Sequence, residues 1–366
     1  MHTPTLFSAC QVGDLALASR LVMAPLTRNR ATAQLPNALM ATYYAQRANP
    51  ATGAGLLISE ATPISPMAHG YLDTPGLHST AQVAAWRPVT QAVHAAGGLI
   101  VAQLWHVGRI SHTSLLPGGA APVSSTARQA QAKTFVADGF VPVSAPRALR
   151  DDELPAIVAD YARAAQAARD AGFDGIEIHA ANGYLLAQFL CDSVNDRLGS
   201  AYGGPIAHRV RLLDEVVRAC CTQIGAGRVG VRLSPISPVN DCGLDSDPQA
   251  LYGAAVAALA AAGVAYVHVV EGQTGGARTT PGAEAFDWAA LRAQFPGAWM
   301  VNNGYDHAMA EAAIASGRAD LVAVGRPFIA NPELARLWRQ GLALQSLDPH
   351  TLYGGGAEGY TLQTTP

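Results

Sequence analysis

His179, Asn182 and Tyr184 carry side chains suited to proton and oxyanion chemistry, and they sit together in the stretch Glu177-Ile178-His179-Ala180-Ala181-Asn182-Gly183-Tyr184-Leu185-Leu186. That stretch follows Asp174-Gly175-Ile176, which reads as the start of a short buried strand, so the polar residues fall where the strand ends. In a parallel α/β barrel the C-terminal strand ends form the catalytic face. From the turn leaving such a strand, His179 and Asn182 can aim two donors at one point, and Tyr184 can bring a phenolic proton to it from the side. Two donors on an oxygen with an acid nearby suit polarising a carbonyl and protonating the adjacent carbon. His and Tyr at a strand end are also common packing residues, so the decision rests on the elements that position them.

One phrase recurs along the chain: an alanine-rich amphipathic segment, a glycine, then a short β-rich run. Ala95-Ala96-Gly97-Gly98 precedes residues 99–104, Asp170-Ala171-Gly172 precedes 174–179, and Ile224-Gly225-Ala226-Gly227 precedes 229–233. Ala261-Ala262-Gly263 precedes 266–270, Phe295-Pro296-Gly297 precedes 299–302, and Ala315-Ser316-Gly317 precedes 321–324. Glycine past a helix end accepts the left-handed conformation that closes it. A continuous apolar strand after the glycine implies burial on both faces, hence a parallel sheet. With residues 21–25 and 55–60 this makes eight candidate strands, which predicts an α/β fold, a (β/α)8 TIM barrel. An open doubly wound sheet is the competitor, but no GxGxxG follows the first strand. Residues 6–19, around Val12-Gly13-Asp14, read as an N-terminal β-hairpin plugging the lower end of the barrel. Residues 107–150 form a long insertion after strand 3, in which 135–143, turning at Asp138-Gly139, reads as a second hairpin over the active face. No linker divides the chain, so a single domain over residues 1–366 is expected.

At 366 residues, 49% hydrophobic and 14% charged, the chain can bury a large core. A formal net charge of −3 gives no basic field for nucleic acid or anionic lipid. The apolar run 253–270 contains Gly263 and His268 and reads as helix, stop and strand, not as a membrane span. No basic residue precedes Arg20, and the five cysteines (Cys10, Cys191, Cys220, Cys221, Cys242) form no CxxC pair. The expectation is a cytoplasmic protein without disulfides or an iron–sulfur cluster.

The remaining strand ends supply more chemistry. Asn302-Asn303-Gly304 ends strand seven and Gly325-Arg326-Pro327 ends strand eight. A phosphate in this fold usually sits over those two strands, where Gly304 and Gly325 allow close approach and Arg326 can pair bidentately. The same glycines can simply turn the chain. Thr27, Gln103 and Arg232 could hold a flat heterocycle with several N–H and C=O groups, the cation favouring negative charge on it. Arg232 could equally be a structural ion-pair partner, and Trp105 either a cavity wall or core.

Several of these phrases together carry a resemblance. Met23-Ala24-Pro25-Leu26-Thr27-Arg28-Asn29-Arg30, Tyr43-Tyr44-Ala45-Gln46-Arg47-Ala48, Leu57-Ile58-Ser59-Glu60-Ala61-Thr62 and Gln103-Leu104-Trp105-His106-Val107-Gly108-Arg109 occur in order. So do the His179 stretch, Tyr202-Gly203-Gly204, Val324-Gly325-Arg326-Pro327 and Leu352-Tyr353-Gly354-Gly355-Gly356. With these the chain resembles the old yellow enzyme family of FMN-dependent ene-reductases, in particular its bacterial N-ethylmaleimide and pentaerythritol tetranitrate reductase type. The resemblance implies non-covalent FMN, reduced by NADPH or NADH, and reduction of activated alkenes such as enones, enals, maleimides and nitroalkenes, with nitrate esters and nitro compounds as further substrates. It implies that Pro25, Leu26, Thr27, Ala61, Gln103 and Arg232 contact the flavin ring and that Asn303, Gly304, Gly325 and Arg326 hold its phosphate. It further implies that His179 and Asn182 bind the substrate oxygen, that Tyr184 is the proton donor, and that Tyr71, Trp105 and Tyr353 shape the pocket. Thr27 stands where another branch of the family carries cysteine. The chain departs from the family pattern in residues 193–201 and in the tail 361–366, near the pocket rim or an oligomer interface. The expected partners are small molecules, and the expected state is a monomer or weak homo-oligomer.

Other classes stay in view. A Schiff-base aldolase needs a lysine at a strand end, whereas the sole lysine, Lys133, lies in the insertion. A metal-dependent barrel hydrolase could use Glu177 and His179, which alternate onto one strand face, but no HxH accompanies them. No metal is therefore expected. A non-catalytic flavin-binding module is the reading outside enzymes.

Overall fold

The computed structural model describes residues 4–362, so positions 363–366 of the divergent tail lie outside the described residues. Eight parallel strands close into a ring: β1 (Leu21–Met23), β2 (Leu56–Ile58), β3 (Ile100–Trp105), β4 (Gly175–Ala180), β5 (Val229–Leu233), β6 (Tyr266–Val270), β7 (Ala298–Asn302) and β8 (Leu321–Val324). Each pairs with the next, β3 joins β4, and β8 returns to β1. Only β7 has half-buried residues, at its two ends; the rest of the ring is buried throughout, as a sheet covered on both faces requires. The outer layer comprises α1 (Ala38–Ala48), α2 (Thr80–Ala95), α3 (Leu154–Asp170), α4 (Ile206–Ile224), α5 (Pro248–Ala262), α6 (Trp288–Ala293), α7 (His307–Ala315) and α8 (Leu334–Arg339). This is the (β/α)8 barrel that the recurring phrase predicts.

The glycine in that phrase closes a helix. Gly263 caps α5 at φ 71°, where a side chain would be strained, and its N–H reaches the Ala260 carbonyl. Helix starts are set as deliberately. Ser79 and Gln82 form a reciprocal capping box on α2, and the Asp247, Asp287 and Asp306 carboxylates cap α5, α6 and α7.

The N-terminal hairpin pairs Cys10–Val12 with Leu15–Leu17, and buries Val12, Leu15 and Leu17 against Val22, Ile58, Val101, Tyr266, Met300 and Leu321 inside the ring. Asp14 N–H bonds the Gly227 carbonyl just before β5, which places the plug at the N-terminal end of the barrel. In the insertion, Val123–Ser124 pairs with Arg147–Ala148, and Lys133–Val136 pairs antiparallel with Gly139–Pro142. The turn of this second hairpin is Ala137-Asp138, one residue earlier than the sequence suggests. Positive φ falls on Gly139 (96°), the first residue of the return strand, and not on the two turn residues.

Three buried arginines fasten the C-terminal segment to the ring. Arg28 and Arg30 donate to carbonyls of Thr351, Leu352, Gly356 and Gly359, and Arg47 donates to Phe328, Ile329 and Tyr360. Tyr43 and Tyr360 stack 4.1 Å apart beside them. Among the described residues no helix is long and apolar enough to cross a membrane.

Candidate active site at the barrel mouth

β4 carries Glu177 and His179 inward and hands the chain to the turn at Asn182 and Gly183, both with positive φ (58° and 69°). Asn tolerates that conformation better than most side chains, and the two left-handed residues reverse the chain within one turn. Tyr184 then starts the short helix Leu185–Leu190. Gln188 from that helix is fully buried and ties the turn to the insertion. Its amide donates to the Gly183 and Val107 carbonyls and accepts from Ser124 Oγ and Arg109 N–H.

His179 is buried, and its Nδ1 accepts the Ala181 N–H at 3.3 Å, which puts the ring proton on Nε2. Burial, with Arg232 and His268 adding to it, holds its pKa well below the ordinary value, so the ring is a neutral donor. Asn182 is held by its backbone, N–H to Ser234 Oγ (2.7 Å) and carbonyl from Asn240 Nδ2 (2.9 Å). The Tyr184 hydroxyl lies 3.1 Å from that of Tyr71, and burial raises its pKa. The rings form a box: Tyr184 meets His179 edge-on at 5.1 Å and Trp105 at 4.9 Å, while Tyr71 stacks on Trp105 at 5.5 Å.

These rings open on a cavity of about 170 Å³ lined by Thr27, Asn29, Tyr71, Trp105, Phe135, Phe140, Tyr184 and Tyr353. Phe135 and Phe140 come from the insertion hairpin, which thus reaches over the active face, and Tyr353 is 52% exposed at the rim. A larger groove, about 670 Å³ between α2 and α3, lies on the outer wall, away from the strand ends where the polar groups gather.

Below the mouth is a buried polar floor. Glu177 accepts from Gln103 Nε2 and from His268 Nδ1, each at 2.8 Å. Burial alone would raise Glu177, but His268, Arg232 and Gln103 outweigh it and hold the carboxyl below its usual range. Both carboxylate oxygens are therefore engaged, so Glu177 does not stand open beside His179 as a metal ligand. Arg232 donates to Asn302 Oδ1 at 2.9 Å, and its buried Nε has no partner among the described residues. That orphaned cationic donor at the end of β5, with half-buried Pro25, Leu26 and Thr27 after β1 and buried Ala61 after β2, suits a flat heteroaromatic ring lying across the mouth.

At the ends of β7 and β8, Gly304 (φ 66°) has open space where a side chain would stand, and Gly325 precedes the short helix Arg326–Ala330. The Asn303 NH2 group is spent on the Glu271 and Gln273 carbonyls, so the donor it can offer a phosphate is its backbone N–H. Arg326 is exposed and bonds the Gly275 carbonyl. Glu271 is paired with Arg278 and Arg318, which anchors the loop after β6 that links these two strand ends. The supporting residues Gln188, Ser234, Asn240 and His268 escape a reading of the sequence. Single polar residues in loops or buried strands carry no periodic signal, and their partners are distant in the chain.

The chain matches the family model described as NADH:flavin oxidoreductase / NADH oxidase family over residues 5–345. It is 45% identical over 361 residues to putative 12-oxophytodienoate reductase 2 of Oryza sativa subsp. japonica, covering 96% of this chain and 93% of that protein. Among solved structures, morphinone reductase superposes with a TM-score of 0.92 at 45% identity, covering 98% of this chain and 96% of the other. The old yellow enzyme homologue from Zymomonas mobilis superposes with a TM-score of 0.91 at 42% identity, covering 98% of both chains. Morphinone reductase has also been solved in complex with tetrahydroNAD.

Proposed function

The chain belongs to the NADH:flavin oxidoreductase / NADH oxidase family, as an old yellow enzyme homologue with FMN as cofactor, and from that premise we propose that it reduces the C=C bond of activated alkenes with NADPH as the reductant. The chemistry FMN supplies when bound is hydride transfer, from a nicotinamide and on to an electrophilic carbon. Thr27, Gln103 and Arg232 would hold the polar edge of its ring, Pro25, Leu26 and Ala61 would pack against it, and Asn303, Gly304, Gly325 and Arg326 would hold its phosphate.

One observation supports the reaction class above the rest: a neutral His179 with its proton on Nε2, Asn182 beside it, and a protonated Tyr184 share one aromatic-walled mouth. The two nitrogen donors grip the carbonyl or nitro oxygen of the substrate. They withdraw density from the β-carbon and stabilise the negative charge that reaches the oxygen. Tyr184 gives its proton to the α-carbon and is not consumed as a base, because burial keeps it protonated. Trp105, Tyr71 and Tyr353 exclude water and select planar, apolar substrates. The rice relative is named for 12-oxophytodienoate reduction, which supports enone chemistry in this site. Incubation of the FMN-loaded protein with NADPH and 2-cyclohexenone, with product analysis, tests the reading. Stoichiometric cyclohexanone is expected, and NADPH oxidation without any saturated ketone would overturn it.

A further inference from the structure

Asn182 must present its NH2 group, and not its carbonyl, to bind a substrate oxygen, and nothing intrinsic to an amide fixes that choice. In this chain the Asn182 Oδ1 accepts from Thr274 Oγ1 at 2.7 Å. Thr274 belongs to the loop after β6, far from β4 in sequence. Its own hydroxyl lies 2.8 Å from Ser237 Oγ, which also accepts the Thr274 N–H at 2.8 Å. Ser237 is buried, on the loop after β5. Because the Thr274 proton goes to Asn182 Oδ1, Thr274 Oγ1 is left as the acceptor for the Ser237 hydroxyl, whose oxygen in turn accepts the Thr274 N–H. A flipped Asn182 would turn an N–H toward Thr274 Oγ1 and lose the Thr274 O–H···Oδ1 bond, displacing that proton to water.

We infer that Thr274, oriented by Ser237, is the positioning residue that keeps the Asn182 NH2 group facing the substrate oxygen. The inference rests on the reading of Asn182 as an oxygen ligand. Thr274 itself is exposed at the mouth, so water competes with its bond until a ligand covers it. Its effect is therefore modest and shows in ligand affinity more than in the fold.

The test is titration of the FMN-loaded enzyme with 4-hydroxybenzaldehyde, read by the change in flavin absorbance, with FMN content and Tm measured alongside. Thr274→Val is expected to raise Kd by about threefold to tenfold, the range of one hydrogen bond, and Thr274→Ser to stay near wild type. Thr274→Val should add nothing in an Asn182→Ala background, because it acts only through that amide. Wild-type affinity in Thr274→Val beside weakened Asn182→Ala would overturn the inference alone, as would an effect that multiplies with Asn182→Ala. Unchanged affinity in Asn182→Ala would overturn the reading of Asn182 and this inference with it. Should Thr274→Val fail to retain FMN, Ser237→Ala breaks the same chain at its buried end and carries the same expectations.

Discussion

Tyr184 gives the account its sharpest exposure at the scale of single residues. Its hydroxyl is needed only when the α-carbon is protonated, so Tyr184→Phe should slow alkene reduction by about 10²-fold or more while NADPH still bleaches FMN at nearly the wild-type rate. Stopped-flow measurement of the two half-reactions separates these, and equal loss in both would remove Tyr184 as the donor. The pH dependence follows from the same burial. Tyr184 is raised above its ordinary value and stays protonated until well into the alkaline range, and His179 is lowered and stays neutral until the pH is well below its ordinary value. The alkene step should therefore be flat between about pH 6 and 9, the ordinary His and Tyr values being near 6.5 and 10. A rate that changes tenfold across that window would mean one of the two titrates there. His179, Asn182 and Tyr184 are legible in sequence because they crowd one strand end. Thr274, Ser234 and Asn240, which fix Asn182, are not, since each is an ordinary loop residue until the fold brings it to the turn.

Elements were legible where burial writes a period into the chain. The eight strands stand out because a parallel ring buries both faces, leaving unbroken apolar runs such as Leu321–Val324, six of the eight introduced by a glycine phrase. The insertion hairpin was legible in outline, but its turn lies one residue earlier because Gly139 pairs with Val136 and takes its positive φ as the first residue of the return strand. Loop detail was not legible: Asn303 looks like a ligand by position, yet its amide ties down the loop after β6. The turn after β4 yields a prediction at this scale. A Cβ on Gly183 would lie 2.5 Å from the Val239 carbonyl oxygen, and its φ of 69° strains any side chain. Gly183→Ala should cost at least about 1 kcal/mol in stability, seen as a lower Tm, and should weaken enone binding as Asn182 shifts. An unchanged Tm would mean that the turn relaxes freely and does not lock the site.

Across the whole molecule, the closure of the ring, where β8 meets β1, is backed by buried charge. Arg47 bonds the Phe328 and Ile329 carbonyls at 2.9 and 2.8 Å and lies over the Tyr43 ring, next to the strand end proposed to hold phosphate. Arg47→Met leaves those carbonyls unpaired and should lower stability by about 2–4 kcal/mol and loosen FMN, measurable by thermal melts and retained cofactor. Glu60, fully buried beside Arg28 and Tyr44, is raised from 4.5 to about 7 by burial. The folded protein holds that proton more tightly than the unfolded chain. Its stabilising contribution is therefore full at acid pH and is lost as the pH rises through 7, by an amount on the order of 3 kcal/mol. Melts of wild type and Glu60→Gln from pH 5 to 8 check the sign: wild type should lose stability relative to the variant. The central claim, that the FMN-loaded protein takes hydride from NADPH and delivers it to an activated alkene, is tested most directly by visible absorption under anaerobic conditions. NADPH should bleach the flavin bands, and N-ethylmaleimide added afterwards should restore them. Bands that bleach but do not return with maleimide or an enone would contradict the alkene-reducing half of the account.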